Sequence, residues 1–139
     1  MREQAAPTTV EAVLAEAQGQ IDRLSAAEAQ RAVQKGDLLI DIRPVEQRRR
    51  DGLVPRADIV ERNVLEWRLD PHSEYRNPHL ARLDVRIVLI CNEGYQSSLA
   101  AATLRRFGLD ACDVIDGVQG WRAAGLPLEP PATRSTPPR

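Results

Sequence analysis

Lysine is nearly absent from this chain of 139 residues, Lys35 being the only one, and aromatic residues make up just 4% of it. Arginine therefore carries the positive charge, and acidic residues offset it to a net charge of −1. That balance argues against a nucleic-acid or anionic-membrane surface, which needs clustered basic charge. The one basic run, Arg48-Arg49-Arg50, is flanked by Glu46 and Asp51 and reads as a solvated helix face. No apolar run approaches the roughly 18 residues of a membrane helix. No apolar stretch follows Met1-Arg2-Glu3-Gln4, so no secretory signal is expected and cytoplasmic residence follows. Two cysteines, Cys91 and Cys112, cannot make a disulfide framework for a chain this long, and a reducing compartment suits a free thiol. His72 and His79 lie in a proline-broken stretch without a cysteine or histidine at ligand spacing, so no metal or other cofactor is expected.

What is present fits one globular domain. The hydrophobic content is 42%, enough for a real core. Thr8 with Glu11 and Ser25 with Glu28 read as capping boxes, opening helices that end near Gly19 and Gly36. Leu38 to Ile42 reads as a strand, Val45 to Asp51 as a short helix that Pro44 opens and Gly52 closes, and Ala57 to Val60 as another strand. Val64, Leu65, Trp67 and Leu69 are expected to anchor a helical turn before Asp70-Pro71 and Asn77-Pro78 break it. Ile87 to Ile90 is a continuous aliphatic run, the pattern of a strand covered on both faces. A helix is expected from Ser98 to Phe107, then a strand at Val114-Ile115 and a last helical turn from Gly120 to Ala124. Short strands alternating with helices predict an α/β domain with a mainly parallel sheet and helices on both faces. Residues 1–20 are expected to be an N-terminal helical extension, packing loosely or serving contacts between chains. Residues 128–139, rich in proline, are expected to be a disordered tail.

Cys91 stands at the carboxyl end of the aliphatic strand and just before a helix, where open α/β sheets bind ligands. The intervening loop, Asn92-Glu93-Gly94-Tyr95-Gln96-Ser97, can curl around Gly94 so that successive N–H groups point inward. Those amides and the helix terminus favour a thiolate, which is the nucleophilic form of cysteine. A structural cysteine ending a core strand is the competing interpretation. Ser97 is expected on the sulfur side of the loop and Ser98 as the helix cap. Asp41 and Arg43 are expected either to pair in support of the loop or to be solvated at the surface. Cys112 reads as half-buried and structural, with a resolving role toward Cys91 as the alternative. Trp67 and Trp121 read as core or rim anchors rather than substrate platforms.

Three separated segments then resemble the rhodanese family of single-domain sulfurtransferases. Leu38-Leu39-Ile40-Asp41-Ile42-Arg43-Pro44 is similar to the family's first strand and its Asp-x-Arg turn. Cys91 to Ser97 is similar to its active-site loop, and Asp116-Gly117-Val118-Gln119-Gly120-Trp121, continuing to Gly125-Leu126-Pro127, to its closing motif. The resemblance covers about residues 21 to 127. It implies a three-layer domain with a small parallel sheet of about five strands. It also implies a double displacement, in which Cys91 takes sulfane sulfur from thiosulfate or a persulfide and passes it to a thiol acceptor. Residues 92 to 97 would cradle the persulfide. The partners implied are small-molecule or protein-bound sulfur compounds.

The chain also departs from the family pattern. Active members often carry basic residues where Asn92, Glu93 and Gln96 stand, and Gly52-Leu53-Val54-Pro55-Arg56-Ala57 lacks the family's histidine and second glycine. A Glu93 carboxylate at about 6 Å from the thiolate would cost about 1–3 kcal/mol and repel a dianionic donor. A non-catalytic binding module is therefore the alternative. Related phosphatases and arsenate reductases use a longer loop ending in an arginine that clamps the oxyanion. No arginine occurs from Asn92 to Thr103, which argues against that chemistry.

Overall fold

Period-two alternation along a few aliphatic strands divides the core into two halves and sets the position of everything else. The computed structural model describes residues 6–131. Its strands are β1 (Arg23–Leu24), β2 (Leu38–Asp41), β3 (Asp58–Ile59), β4 (Arg86–Ile90) and β5 (Asp110–Val114). They form one five-stranded sheet in the order β1-β5-β4-β2-β3, with every pairing parallel. The helices are α1 (Val10–Gly19), α2 (Ala26–Gln34), α3 (Val45–Asp51), α4 (Leu65–Leu69), α5 (Gln96–Arg105) and α6 (Gly117–Ala123). On one face, Ile40, Ile87, Leu89 and Ala111 pack against α4 and α5; on the other, Leu39, Val88, Ile90 and Cys112 pack against α2 and α6. The three-layer α/β architecture is the expected one.

Several boundaries differ from the expected ones, each for a local reason. The Ser25–Glu28 capping box is present as expected, but Thr9 rather than Thr8 caps α1, its hydroxyl accepting from the Ala12 amide at 3.1 Å. The two-residue edge strand β1 was not anticipated, because Arg23-Leu24 carries no period of its own and is defined only by pairing with Asp113 and Val114. Strand β5 begins at Asp110, earlier than Val114, since its charged Asp110 and Asp113 hide the strand pattern. Helix α5 starts two residues before Ser98. In the turn around α4, Leu65 and Leu69 are fully buried while Val64 and Trp67 face solvent, so Trp67 anchors no core. Trp121, by contrast, is buried against the α2 and α6 face.

The ends of the described chain join the domain. Helix α1 lies against α5, burying Ala17, and Gln18 Nε2 donates to Ser98 Oγ at 3.3 Å. At the other end the Trp121 indole donates to the Pro127 carbonyl at 2.8 Å, and Leu126 and Leu128 pack on the core. Leu53 and Glu129 then exchange two backbone hydrogen bonds of 2.7 Å each as an antiparallel bridge. The expectation of disorder from residue 128 therefore does not hold at Leu128 and Glu129; residues 132–139 lie outside the described residues. A chain ending at Pro127 should lose those two bonds and the Leu128 contact. Its thermal midpoint is expected to fall by roughly 6–12 °C, on the scale of about 1 kcal/mol per net hydrogen bond and about 3–6 °C per kcal/mol. Calorimetry of the truncated chain against the full-length one checks the outcome.

Candidate active site

Strand β4 delivers Cys91 to the carboxyl edge of the sheet, on the same face as Ile87 and Leu89 and so toward α5. Cys91 is 5% exposed and is part of the lining of a cavity of about 530 Å³. Two backbone amides aim at the sulfur, Gly94 N at 3.2 Å and Ser97 N at 3.3 Å. The Ser97 hydroxyl lies 3.2 Å from it, positioned to accept the S–H proton. Ser97 is thus on the sulfur side, as expected.

The amides face inward because the loop's carbonyls are taken up outside it. Val118 N donates to the Cys91 carbonyl at 2.8 Å and Gln119 N to that of Asn92 at 3.1 Å, so the first turn of α6 caps the loop from behind. The Gly94 carbonyl accepts from Arg23 Nη2 at 2.9 Å. Both glycines at this junction are required. Gly94 has φ +89°, and a Cβ there would lie 2.8 Å from the Asp116 amide nitrogen. Gly117 has φ +55°, and a Cβ would collide with the Cys91 carbonyl oxygen.

Beneath the loop sits a residue that the sequence reading missed. Period two along β5 turns Asp113 toward α5, where it is fully buried. Its carboxylate accepts from Arg23 Nε at 2.9 Å and Nη2 at 3.1 Å, and from the hydroxyls of Ser97 and Ser98 at 2.8 Å each. Ser98, expected to cap α5, therefore does not; it lies inside the helix. Tyr95 is the N-cap and makes no side-chain cap bond. A carboxylate inside an otherwise apolar strand, Ala111-Cys112-Asp113-Val114, was the available signal, since a buried charge demands partners.

Asp41 and Arg43 form a buried pair rather than a solvated one. Arg43 Nε and Nη2 reach the Asp41 carboxylate at 3.0 and 2.7 Å, and Nη2 also donates to the Gly52 carbonyl at 2.8 Å. The pair braces the β2–α3 turn, and Ile42, Arg43 and Pro44 of that turn form one wall of the cavity.

At the mouth are Asn92, Glu93, Tyr95 and Gln96 from the loop, with Glu61 and Arg62 opposite. Arg62 donates to the Gln96 amide oxygen at 3.1 Å and to Glu66 at 2.7 Å. Glu93 is exposed and accepts from the Asn92 side chain at 3.2 Å. Arg50 is exposed, as expected of a solvated helix face, and from there reaches Asn92 at 3.4 Å and feels the Glu93 charge. Asp51 anchors this corner. The Arg50 guanidinium, then Arg122, hold its carboxyl down at about 2, and Gln119 Nε2 links it to Asn92 with bonds of 3.2 and 2.9 Å.

Cys112 cannot serve Cys91. It pairs with Val88, three residues back along the neighbouring strand, so the two cysteines are about 10 Å apart along the sheet, beyond disulfide reach. They also face opposite sides of the sheet. Burial pushes the Cys112 thiol up to about 12. His72 and His79 are exposed outside the cavity, and no cluster among the described residues could hold a metal ion. At neutral pH iodoacetamide should label Cys91 at least ten-fold faster than Cys112, as read by peptide mass mapping; equal rates would contradict the placement of the two thiols.

A family model for the rhodanese-like domain matches residues 25–124. A Rhodopseudomonas palustris protein of unknown function, described as a possible tyrosine phosphatase, is similar in structure at TM-score 0.82 and 32% identity. That match covers 93% of this chain and 100% of the other. The polysulfide-sulfur transferase homodimer of Wolinella succinogenes matches at TM-score 0.66 and 24% identity, over 85% of each chain. A thiosulfate sulfurtransferase from Pseudomonas aeruginosa matches at 0.68 and 18% identity, over 86% of this chain and 22% of that one. None of the curated proteins matches the chain.

Proposed function

Because this chain belongs to the rhodanese-like domain family, we propose that it is a sulfurtransferase working through a persulfide on Cys91. The observation that carries the proposal is the pair of amides, Gly94 N and Ser97 N, aimed at a recessed sulfur. In the first half-reaction the Cys91 thiolate attacks the sulfane sulfur of the donor. Its S–S bond breaks, and the leaving group (sulfite from thiosulfate, a thiolate from a persulfide) departs with the bonding electrons. The product is a persulfide anion on Cys91, which fixed amide dipoles stabilise without a charged side chain. In the second half-reaction an acceptor thiolate attacks the terminal sulfur and restores the Cys91 thiolate. Donor and acceptor are small-molecule or protein-bound sulfur compounds, a chemistry suited to a reducing cytoplasm.

Charge at the mouth shapes donor choice. Arg62, shared between Glu66 and Gln96, and Arg50, paired with Asp51, are cations within reach of an anionic donor, while Glu61 and Glu93 oppose a doubly negative one. A tyrosine phosphatase is the second reading, raised by the description of the R. palustris relative. It is disfavoured because a phosphate dianion needs a bidentate guanidinium inside the loop, and residues 92–103 contain no arginine. A non-catalytic module would leave the amide cradle without a use.

Mass spectrometry after incubation with a sulfane donor should show an adduct of about 32 Da, one sulfur atom, on Cys91. Cys91→Ser should abolish both adduct and turnover; turnover that survives would overturn the proposal, as would hydrolysis of a phosphate ester without any adduct. Glu93→Lys should raise kcat/KM for thiosulfate by roughly three- to ten-fold at low salt. The gain should shrink as ionic strength rises, because a rim charge is screened. Steady-state kinetics at two salt concentrations checks it.

A further inference from the structure

We propose that the Ser97 hydroxyl is a two-position hydrogen-bond switch set by Asp113, so that Asp113 is a positioning residue for Cys91 acting through Ser97. The inference rests on Cys91 being the nucleophile.

Ser97 has one proton to give and two acceptors in reach, the Asp113 carboxylate at 2.8 Å and the Cys91 sulfur at 3.2 Å. When Cys91 is a thiol, its S–H donates to Ser97 Oγ and Ser97 donates to Asp113, giving a continuous chain of bonds. When the thiol proton leaves to water in the cavity, the sulfur becomes an anion with no proton to donate. The Ser97 hydroxyl then turns to the sulfur and adds a third donor to those from Gly94 N and Ser97 N. Asp113 tolerates that loss because Arg23 still donates to both of its oxygens and Ser98 to one of them. The redundancy of donors on Asp113 is what leaves Ser97 free to turn. Without Arg23 and Ser98, a fully buried carboxylate would hold the Ser97 proton permanently. Ser98 can itself fall back on the Gly94 carbonyl at 3.0 Å.

Other charges near the sulfur do not touch Ser97. Arg43 is neutralised by Asp41 below the wall. Glu61, Arg62, Glu93 and Arg50 lie at the mouth, Asp116 is exposed on the turn before α6, and the first turn of α5 has no acidic residue. Asp113 is the one charged group bonded to the switch.

The test is the pH dependence of Cys91 alkylation by iodoacetamide in the full chain. It needs no sulfur donor, so its failure and a failure of sulfur transfer are separate results. Ser97→Ala should move the alkylation midpoint up by about one pH unit, since the thiolate loses a charge-assisted donor. Asp113→Asn keeps the shape and an acceptor but removes the charge that competes for the Ser97 proton, and should move the midpoint down by about one unit. In the Ser97→Ala background the Asp113→Asn shift should fall to less than half. Loosening of the loop alone would raise the midpoint in both single variants, and a through-space charge effect would give the same Asp113→Asn shift in both backgrounds. Either pattern overturns the proposal. If Asp113→Asn does not fold, Ser97→Ala decides: an unchanged midpoint overturns the switch.

Discussion

A carboxylate with no exposed surface, placed on a sheet strand directly under a reactive loop, has to be compensated from every side. Asp113 is compensated by Arg23 from the neighbouring edge strand and by two serines from the start of α5, so a single charge ties together β1, β5 and the helix. Arg23 extends that tie into the loop by holding the Gly94 carbonyl. With the Cys91 and Asn92 carbonyls turned toward α6 and that of Tyr95 held by the first turn of α5, the Gly94 and Ser97 amides are left to face the sulfur. The cradle around Cys91 thus follows from the partners of its outward-facing groups as much as from its own sequence.

Much of the fold was legible in local pattern. The aliphatic runs before Asp41 and Cys91, the Ser25–Glu28 box, and the glycines ending α2 and α3 each act within a few residues, and the structure places them as expected. Of the site, Cys91 and Ser97 were legible because a strand, a glycine loop and a helix follow in order. What escaped was nonlocal. The short strand β1 exists only through its partner, and Asp113 reads as a break in a strand until Arg23 is brought beside it across ninety residues of chain. Arg62 and Arg50 reach the mouth from separate elements, so no spacing rule connects them with Cys91. Trp67 was misplaced because hydrophobic size suggests burial, whereas the short α4 has room for only Leu65 and Leu69 on its inner side.

Likeness to sulfur transferases at 24% identity or less fixes the fold and leaves the chemistry to the residues present. Those residues provide an amide cradle, a hydroxyl beside the sulfur, and a mouth where arginines and carboxylates are mixed. Under the proposed sulfur transfer, selectivity falls to the rim and attack by the Cys91 sulfur to the buried layer beneath it.

Placing the two thiols on opposite faces of the sheet has a further consequence. Any electrophilic state of Cys91, whether persulfide or sulfenate, has no second thiol of its own chain to collapse onto. On the proposed sulfur transfer, discharge would be bimolecular, first order in an external thiol, and the lifetime of the loaded protein would be set by the thiol concentration around it. The chain would then act as a carrier whose unloading its surroundings control.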